Sequence, residues 1–172
     1  GDALQTLAFE LLARPGSALA AQGQLGLIAG LAKASGAEGM VLGQAQDMAA
    51  ETAAVPLTLT ETAHLQSNKT GALIEWSATA GAVMVGVDAA LLRRYARSLG
   101  LAFQIADDIL DVEGTVDVVG KATGKDSASG KATYVSLLGL EGAKRRAQAL
   151  VDEACMALDD FGDRGDILKA AA

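Results

Sequence analysis

Alanine and leucine dominate this chain, and their excess restricts its fold more than any other feature. The 172 residues include 36 alanines and 24 leucines, and both residue types are strong helix formers. Sustained two-residue alternation of apolar and polar side chains, the pattern of a half-buried strand, does not occur. Apolar residues recur instead at helical spacing, as at Leu4, Leu7, Ala8 and Leu11. The sequence therefore predicts an all-α fold with small helix–helix contacts.

Glycine, proline and capping residues divide the chain into predicted helices. We expect helices over 2–14, 19–35, 37–54, 60 to about 70, 71–86, 88 to about 112 and 134–160, with a Gly- and Lys-rich loop over 114–133. Segment 71–86 is small and apolar on all sides, which predicts a buried helix packed closely through Gly71, Gly81 and Gly86. No repeat or linker is visible, so the length suits one domain or a large piece of one.

Composition excludes several classes of function. One cysteine rules out an internal disulfide framework and a thiolate zinc cluster, and it fits a reducing compartment such as the cytoplasm. A net charge of −7 and a pI near 4.6 argue against a nucleic-acid binder. The single histidine, His64, excludes His-rich metal sites. The most apolar stretch, 76–87, is too short for the ~20 residues of a membrane-spanning helix, so we expect no transmembrane segment.

Negative charge concentrates in residues 101–172, where 8 basic and 13 acidic residues leave −5 of the total −7. Three- and four-residue steps on one helix place four polar residues on a shared face: Gln104, Asp107, Asp108 and Asp111. Carboxylates without histidine or cysteine suit Mg²⁺ that keeps several waters and bridges to substrate phosphates. The alternative is a solvated acidic face. Flanking apolar residues, which suggest partial burial, favour the metal site: Phe103, Ala106, Ile109 and Leu110.

Matching cations follow in the loop over 114–133, at Lys121, Lys125 and Lys131. Lysines on glycine-rich backbone can hold a diphosphate, although the loop is not a Walker motif and, taken alone, fits a solvated segment better than a binding site. Two further polar clusters interrupt apolar helices. Gln44 and Asp47 share one helix face, and Asn68-Lys69-Thr70 precedes the small-residue helix. Each cluster alone is more typical of helix capping or of an exposed surface. Together with the aspartates, the two clusters could hold Mg²⁺ and a diphosphate.

These segments resemble the trans-isoprenyl diphosphate synthases. FQIADDILD is similar to the second aspartate-rich motif of that family. GDALQTLAFELL, GMVLGQAQDM, NKTGALI and GKATYVSLLGLEGAK occur in the order and at about the spacings of bacterial farnesyl and geranylgeranyl diphosphate synthases. The resemblance covers essentially the whole chain. It implies the isoprenoid synthase fold, antiparallel helices around a deep central cavity, and a homodimer.

The resemblance also implies the chemistry. Family members join isopentenyl diphosphate to an allylic diphosphate with the help of three Mg²⁺ ions, ionising the allylic C–O bond before the C–C bond forms. If the roles of the matching family positions apply to this chain, Asp107 would bind the metal, supported by Asp108 and Asp111. The diphosphate-binding lysines would be Lys69, Lys121 and Lys131. Gln104 would orient the diphosphate or a metal-bound water, with Thr70 and Gln44 near the reacting carbons and Asp47 and Asp126 as supporting groups.

One departure from the family pattern is that an earlier aspartate-rich motif and its arginine pair do not appear. The chain is thus expected to be the C-terminal portion of a synthase domain, to bind at most one of the three metals, and to be inactive alone. Two alternatives stay open. One is a non-catalytic regulatory subunit, which the second motif and the lysines disfavour. The other is a terpene cyclase, whose usual N/D-x-x-S/T-x-x-x-E motif is not found.

Overall fold

The computed structural model describes residues 1–15, 20–114 and 132–172, and these residues are helical without any strand. The all-α prediction is confirmed. In chain order the elements are α1 (Asp2–Ala13), α2 (Ala21–Ser35), α3 (Met40–Glu51), α4 (Leu59–Gln66), a π-helical turn (Ser67–Gly71), α5 (Ala72–Val85), α6 (Ala90–Glu113), α7 (Tyr134–Leu138), α8 (Leu140–Met156), a 3₁₀ turn (Asp159–Gly165) and α9 (Asp166–Ala171).

The stretch Ala21–Glu51 is apolar and long enough to cross a membrane by length and composition alone. The structure divides it into α2 and α3 at residues 36–39, where the Gly39 N–H donates to the Gly36 carbonyl over 3.0 Å. The core helices of proteins that never enter a membrane meet the same criterion. The stretch is therefore only weak support for a span, and the expected lack of one stays a prediction.

Residues 59–85 form one continuous helical rod rather than the two separate helices that the sequence indicates. Its start is the Thr58 capping box, in which Thr58 and Glu61 bond each other's backbone N–H groups. The backbone stays in the right-handed helical region through Ser67 and Ala72, so the π-helical turn interrupts the hydrogen-bond ladder without ending the rod.

The helix α5 is only partly buried, which corrects the prediction for segment 71–86. Thr79 and Ala82 are buried, but Val83, Met84 and Val85 are exposed. A Cβ at Gly81 would meet nothing within 4 Å, and Gly86 ends the helix with a left-handed φ of 68°. Packing against α2 and α6 therefore covers only part of the circumference of α5.

The core lies between α6 and α8, which run antiparallel. Tyr95 and Ala96 near the start of α6 pack with Ala154 near the end of α8, whereas Ile105, further along α6, packs with Ala143 near its start. The alanines permit the close approach of the two helices, and each fully buried large apolar side chain contributes roughly 1.5–3 kcal/mol. This packing fixes α6, and with it the aspartates near its C-terminus.

The predicted single helix over 134–160 is wrong in two respects, and the first is that it breaks at Gly139. Gly139 has φ 70° and ψ 160°, which no helix accommodates, and it separates α7 from α8. The helical run also ends at Met156 and gives way to the 3₁₀ turn, within which Gly162 is non-helical.

Candidate functional site

The π-helical turn carries Lys69 and Thr70, two residues that the sequence analysis singled out. A π turn contains one residue more than an α turn and is rare, and such turns are frequent at functional sites. It offsets the side chains of this segment from the α-helical positions that a regular helix would give them. Sequence periodicity did not reveal the turn.

Lys69 is paired with Asp47 of α3. The Nζ of Lys69 lies 2.5 Å from Oδ2 of Asp47, and the two side chains are 30% and 5% exposed. A carboxylate this buried is stable in its charged form only with compensating donors or cations. Asp47 was expected in a supporting position, and the structure puts its carboxylate in direct contact with the lysine.

Thr70 is joined to Gln104 of α6. The Thr70 hydroxyl donates to Oε1 of Gln104 over 2.8 Å. On the other flank, Nδ2 of Asn68 donates to Oε1 of Gln46 over 3.1 Å. The π-helical turn is thus tied to α3 through residues 68 and 69 and to α6 through residue 70, so that three elements meet at one place.

A small cavity of about 180 Å³ adjoins this meeting point and is lined in part by Asp47, Thr62 and Gln66. Thr62 Oγ1 and Gln66 Oε1 are buried, with no hydrogen-bond partner among the residues that the structure describes. Ordered water in a polar cavity of this size would satisfy both oxygens.

The three aspartates of α6 differ in their surroundings. Asp107 is exposed, Asp108 is half-buried, and Asp111 is 8% exposed. Oδ2 of Asp108 accepts a hydrogen bond from the backbone N–H of Tyr134 over 2.7 Å, which attaches the start of α7 to α6. Asp108 therefore has a structural contact in addition to the metal-supporting role predicted for it.

Three of the four apolar residues expected beside these aspartates are exposed, whereas Ile109 packs against the core. Phe103 is 58% exposed and Leu110 is 48% exposed, because both lie on a side of α6 that faces away from the core with α8. Within 1–15, 20–114 and 132–172, no group of three or more His, Cys, Asp or Glu side chains is placed to hold a metal ion.

This donor set still fits Mg²⁺. Mg²⁺ keeps several waters and is usually bound by one or two protein carboxylates plus substrate phosphates, so a cage of three side chains is not required. Asp107 offers an exposed carboxylate one helical turn from Gln104. The metal roles of Asp107, Asp108 and Asp111 stay predictions.

Tyr134 was missed by the sequence analysis. Its side chain is buried beside Asp108, and its hydroxyl has no hydrogen-bond partner among the described residues. Burial, reinforced by the negative charge of Asp108 and opposed by Arg146, raises the pKa of Tyr134 to about 12. The capping pair Thr133–Ser136, which starts α7, was the signal that could have placed a helix start here.

Gln44, another predicted site residue, is exposed on α3. His64, for which no site role is predicted, contacts Asn68 of the π-helical turn at 3.4 Å. Lys121, Asp126 and Lys131 lie outside the described residues.

Comparison with known proteins identifies the family of this chain. The family model described as "Polyprenyl synthetase" matches residues 1–171. The chain belongs to the polyprenyl synthetase family. It is 43% identical over 169 residues to the farnesyl diphosphate synthase of Escherichia coli (strain K12), covering 95% of this chain and 56% of that protein. The chain thus spans about half the length of the curated relatives it matches.

Solved structures agree on the fold of this polyprenyl synthetase chain. An FPP/GFPP synthase from Zymomonas mobilis matches with a TM-score of 0.85 at 47% identity, over 99% of this chain and 57% of that one. A geranyltransferase from Helicobacter pylori, solved with magnesium and isoprenyl diphosphate, matches with a TM-score of 0.80 at 37% identity, over 98% and 55%. The isoprenoid synthase fold expected from the motifs is confirmed.

Proposed function

We propose that the whole protein is a short-chain trans-prenyltransferase that joins isopentenyl diphosphate to an allylic diphosphate. The observation that carries the proposal is the meeting of Lys69, Thr70 and Gln104 on two packed elements, with Asp107 one turn further along α6. Family membership and relatives named as farnesyl diphosphate synthases support the same reaction class.

Each of these residues would have a distinct task. Lys69 would place a positive charge against the diphosphate oxygens of the allylic substrate, stabilising the anion as its C–O bond breaks. Asp47 would hold the lysine in place. The Thr70 hydroxyl and the Gln104 amide, already bonded to each other, would orient the reacting end of the substrate.

Magnesium is the expected cofactor. Asp107 would hold it, with Asp108 and Asp111 supporting, and the bound metal would act as a Lewis acid on the diphosphate. The geranyltransferase from Helicobacter pylori described above was solved with magnesium. Three ions in the whole enzyme, a homodimer and a cytoplasmic location remain predictions. The single cysteine fits the cytoplasmic location.

The test uses the whole protein with Mg²⁺, isopentenyl diphosphate and an allylic diphosphate. We expect pyrophosphate release and a prenyl diphosphate one C5 unit longer, detected by mass spectrometry. Asp107→Ala should lower the rate by about 100-fold or more, whereas Asp160→Ala, at an exposed aspartate outside the site, should not change it. A wild-type protein that makes no longer product would refute the function, and a near-normal Asp107→Ala would refute the site.

A further inference from the structure

Gly43 of α3 lies directly against the backbone of the π-helical turn. It is buried, and a Cβ added to it would lie 2.6 Å from the Cβ of Lys69 and closer still to the backbone N and Cα of Lys69. Real Cβ atoms essentially never approach other heavy atoms so closely. The atoms in the way are mostly backbone, so no rotamer change of Lys69 could make room. Only a hydrogen atom fits between α3 and Lys69.

A second glycine lies where the same turn meets α6. A Cβ at Gly100 would be 3.4 Å from the Cα of Gly71 and 3.5 Å from Cδ1 of Ile74. This approach is close but within ordinary contact. The π-helical turn is therefore held between α3 at Gly43 and α6 at Gly100, with the tighter contact on the α3 side.

These contacts fix the backbone from which Lys69 and Thr70 project. Side-chain bonds alone would leave that backbone adjustable, because Lys69 reaches Asp47 through a flexible four-carbon stem. Glycine inside a helix costs roughly 1 kcal/mol relative to alanine, and at Gly43 the packing supplies a physical reason for it.

We infer that Gly43 is a positioning residue: its missing side chain lets α3 set where the π-helical turn presents Lys69 and Thr70 to a diphosphate. The inference rests on the proposed function for the identity of the diphosphate as part of a prenyl substrate. It concerns the placement of the lysine, not its chemistry.

The experiment measures binding of inorganic pyrophosphate with Mg²⁺ to the whole protein by calorimetry, and prenyl transfer in parallel. Gly43→Ala should weaken pyrophosphate binding by about tenfold at unchanged stoichiometry, and lower kcat by about 10- to 100-fold, since displacements near 1 Å can cost that much. A purely structural defect would reduce the stoichiometry, because part of the protein would be misfolded, but would leave the Kd of the folded fraction unchanged.

Two variants serve as controls. Gly36→Ala introduces a similar clash, 2.6 Å from the Ala32 carbonyl oxygen at the end of α2, and should leave the Kd unchanged. Gly81→Ala meets no atom within 4 Å and should leave the Kd and kcat unchanged. Should Gly43→Ala not fold, the fallback is Gly100→Val, whose methyl groups extend beyond a Cβ position already 3.4 Å from the Cα of Gly71. This variant should displace the turn from the α6 side and weaken binding by about two- to fivefold, and an unchanged Kd in it would overturn the inference.

The outcomes separate the two proposals. A Kd for Gly43→Ala equal to that of Gly36→Ala, or a wild-type protein that does not bind pyrophosphate, overturns the positioning inference. Loss of prenyl transfer in the wild type, with pyrophosphate binding and its Gly43 dependence intact, overturns only the function and leaves the inference standing.

Discussion

Lys69 and Asp47 form an ion pair that is enclosed on one side only. The carboxylate is almost fully buried, while the ammonium group lies 2.5 Å away on a side chain that is 30% exposed. The lysine therefore faces both the protein interior and the surface from which a substrate would approach. A buried anion that orients a partly exposed lysine suits the phosphate-binding role proposed for Lys69.

Replacing only the cation should destabilise the protein, because it leaves the buried Asp47 without its lysine. We expect Lys69→Met to lower the free energy of unfolding by about 2–3 kcal/mol, somewhat less than the roughly 3–5 kcal/mol typical of fully buried pairs, because Lys69 is partly solvated. Adding Asp47→Asn should recover at least half of that loss, since the buried charge is then gone. Urea unfolding followed by circular dichroism measures both. A loss below about 0.5 kcal/mol for the single variant would show that the pair is effectively solvated.

Sequence reasoning captured the elements whose cause is local. The helix predicted over 88–112 is observed as Ala90–Glu113. Its N-cap is Ala89, and the carboxylate of the preceding Asp88 accepts a hydrogen bond from the backbone N–H of Ala90. The aspartates on this helix and the lysine before α5 were also found from sequence, because residue type and spacing define them.

What sequence reasoning missed depends on tertiary contacts. The π-helical turn adds one residue to a helical turn, a change too small for hydrophobic periodicity to detect. The hydrogen bond from Thr70 to Gln104 joins residues that are 34 positions apart in the sequence, and the one from Tyr134 to Asp108 joins residues that are 26 positions apart. Neither pairing follows from local pattern, because each depends on how α6 packs against its neighbours.

A substitution at Gly139, where the helix breaks, tests the backbone conformation of that residue. Its φ of 70° and ψ of 160° lie in a region that essentially only glycine adopts, so Gly139→Ala should lower the free energy of unfolding by about 1–3 kcal/mol. The cost would be conformational, since a Cβ at this position meets nothing within 4 Å. Thermal unfolding is measured for Gly139→Ala and for Gly81→Ala, which should instead stabilise the protein by up to about 1 kcal/mol. Equal melting temperatures for the two variants would contradict the assigned conformation.

Tyr134 should make the stability of the protein sensitive to alkaline pH. Its pKa rises from 10 to about 12 on folding, so its contribution to stability is present below pH 10 and is lost as the pH rises towards 12. Tyr134→Phe removes a buried hydroxyl that has no partner among the described residues, and it should be neutral or slightly stabilising at pH 8. Between pH 10 and 12 the free energy of unfolding of the variant should rise relative to that of the wild type by about 2 kcal/mol. The reason is that only the wild type has a phenol at this position that ionises on unfolding. Urea unfolding at pH 8, 10 and 11 measures the difference, in which the titration of the lysines cancels. A constant difference across this range would mean that the Tyr134 phenol is in contact with solvent in the folded protein.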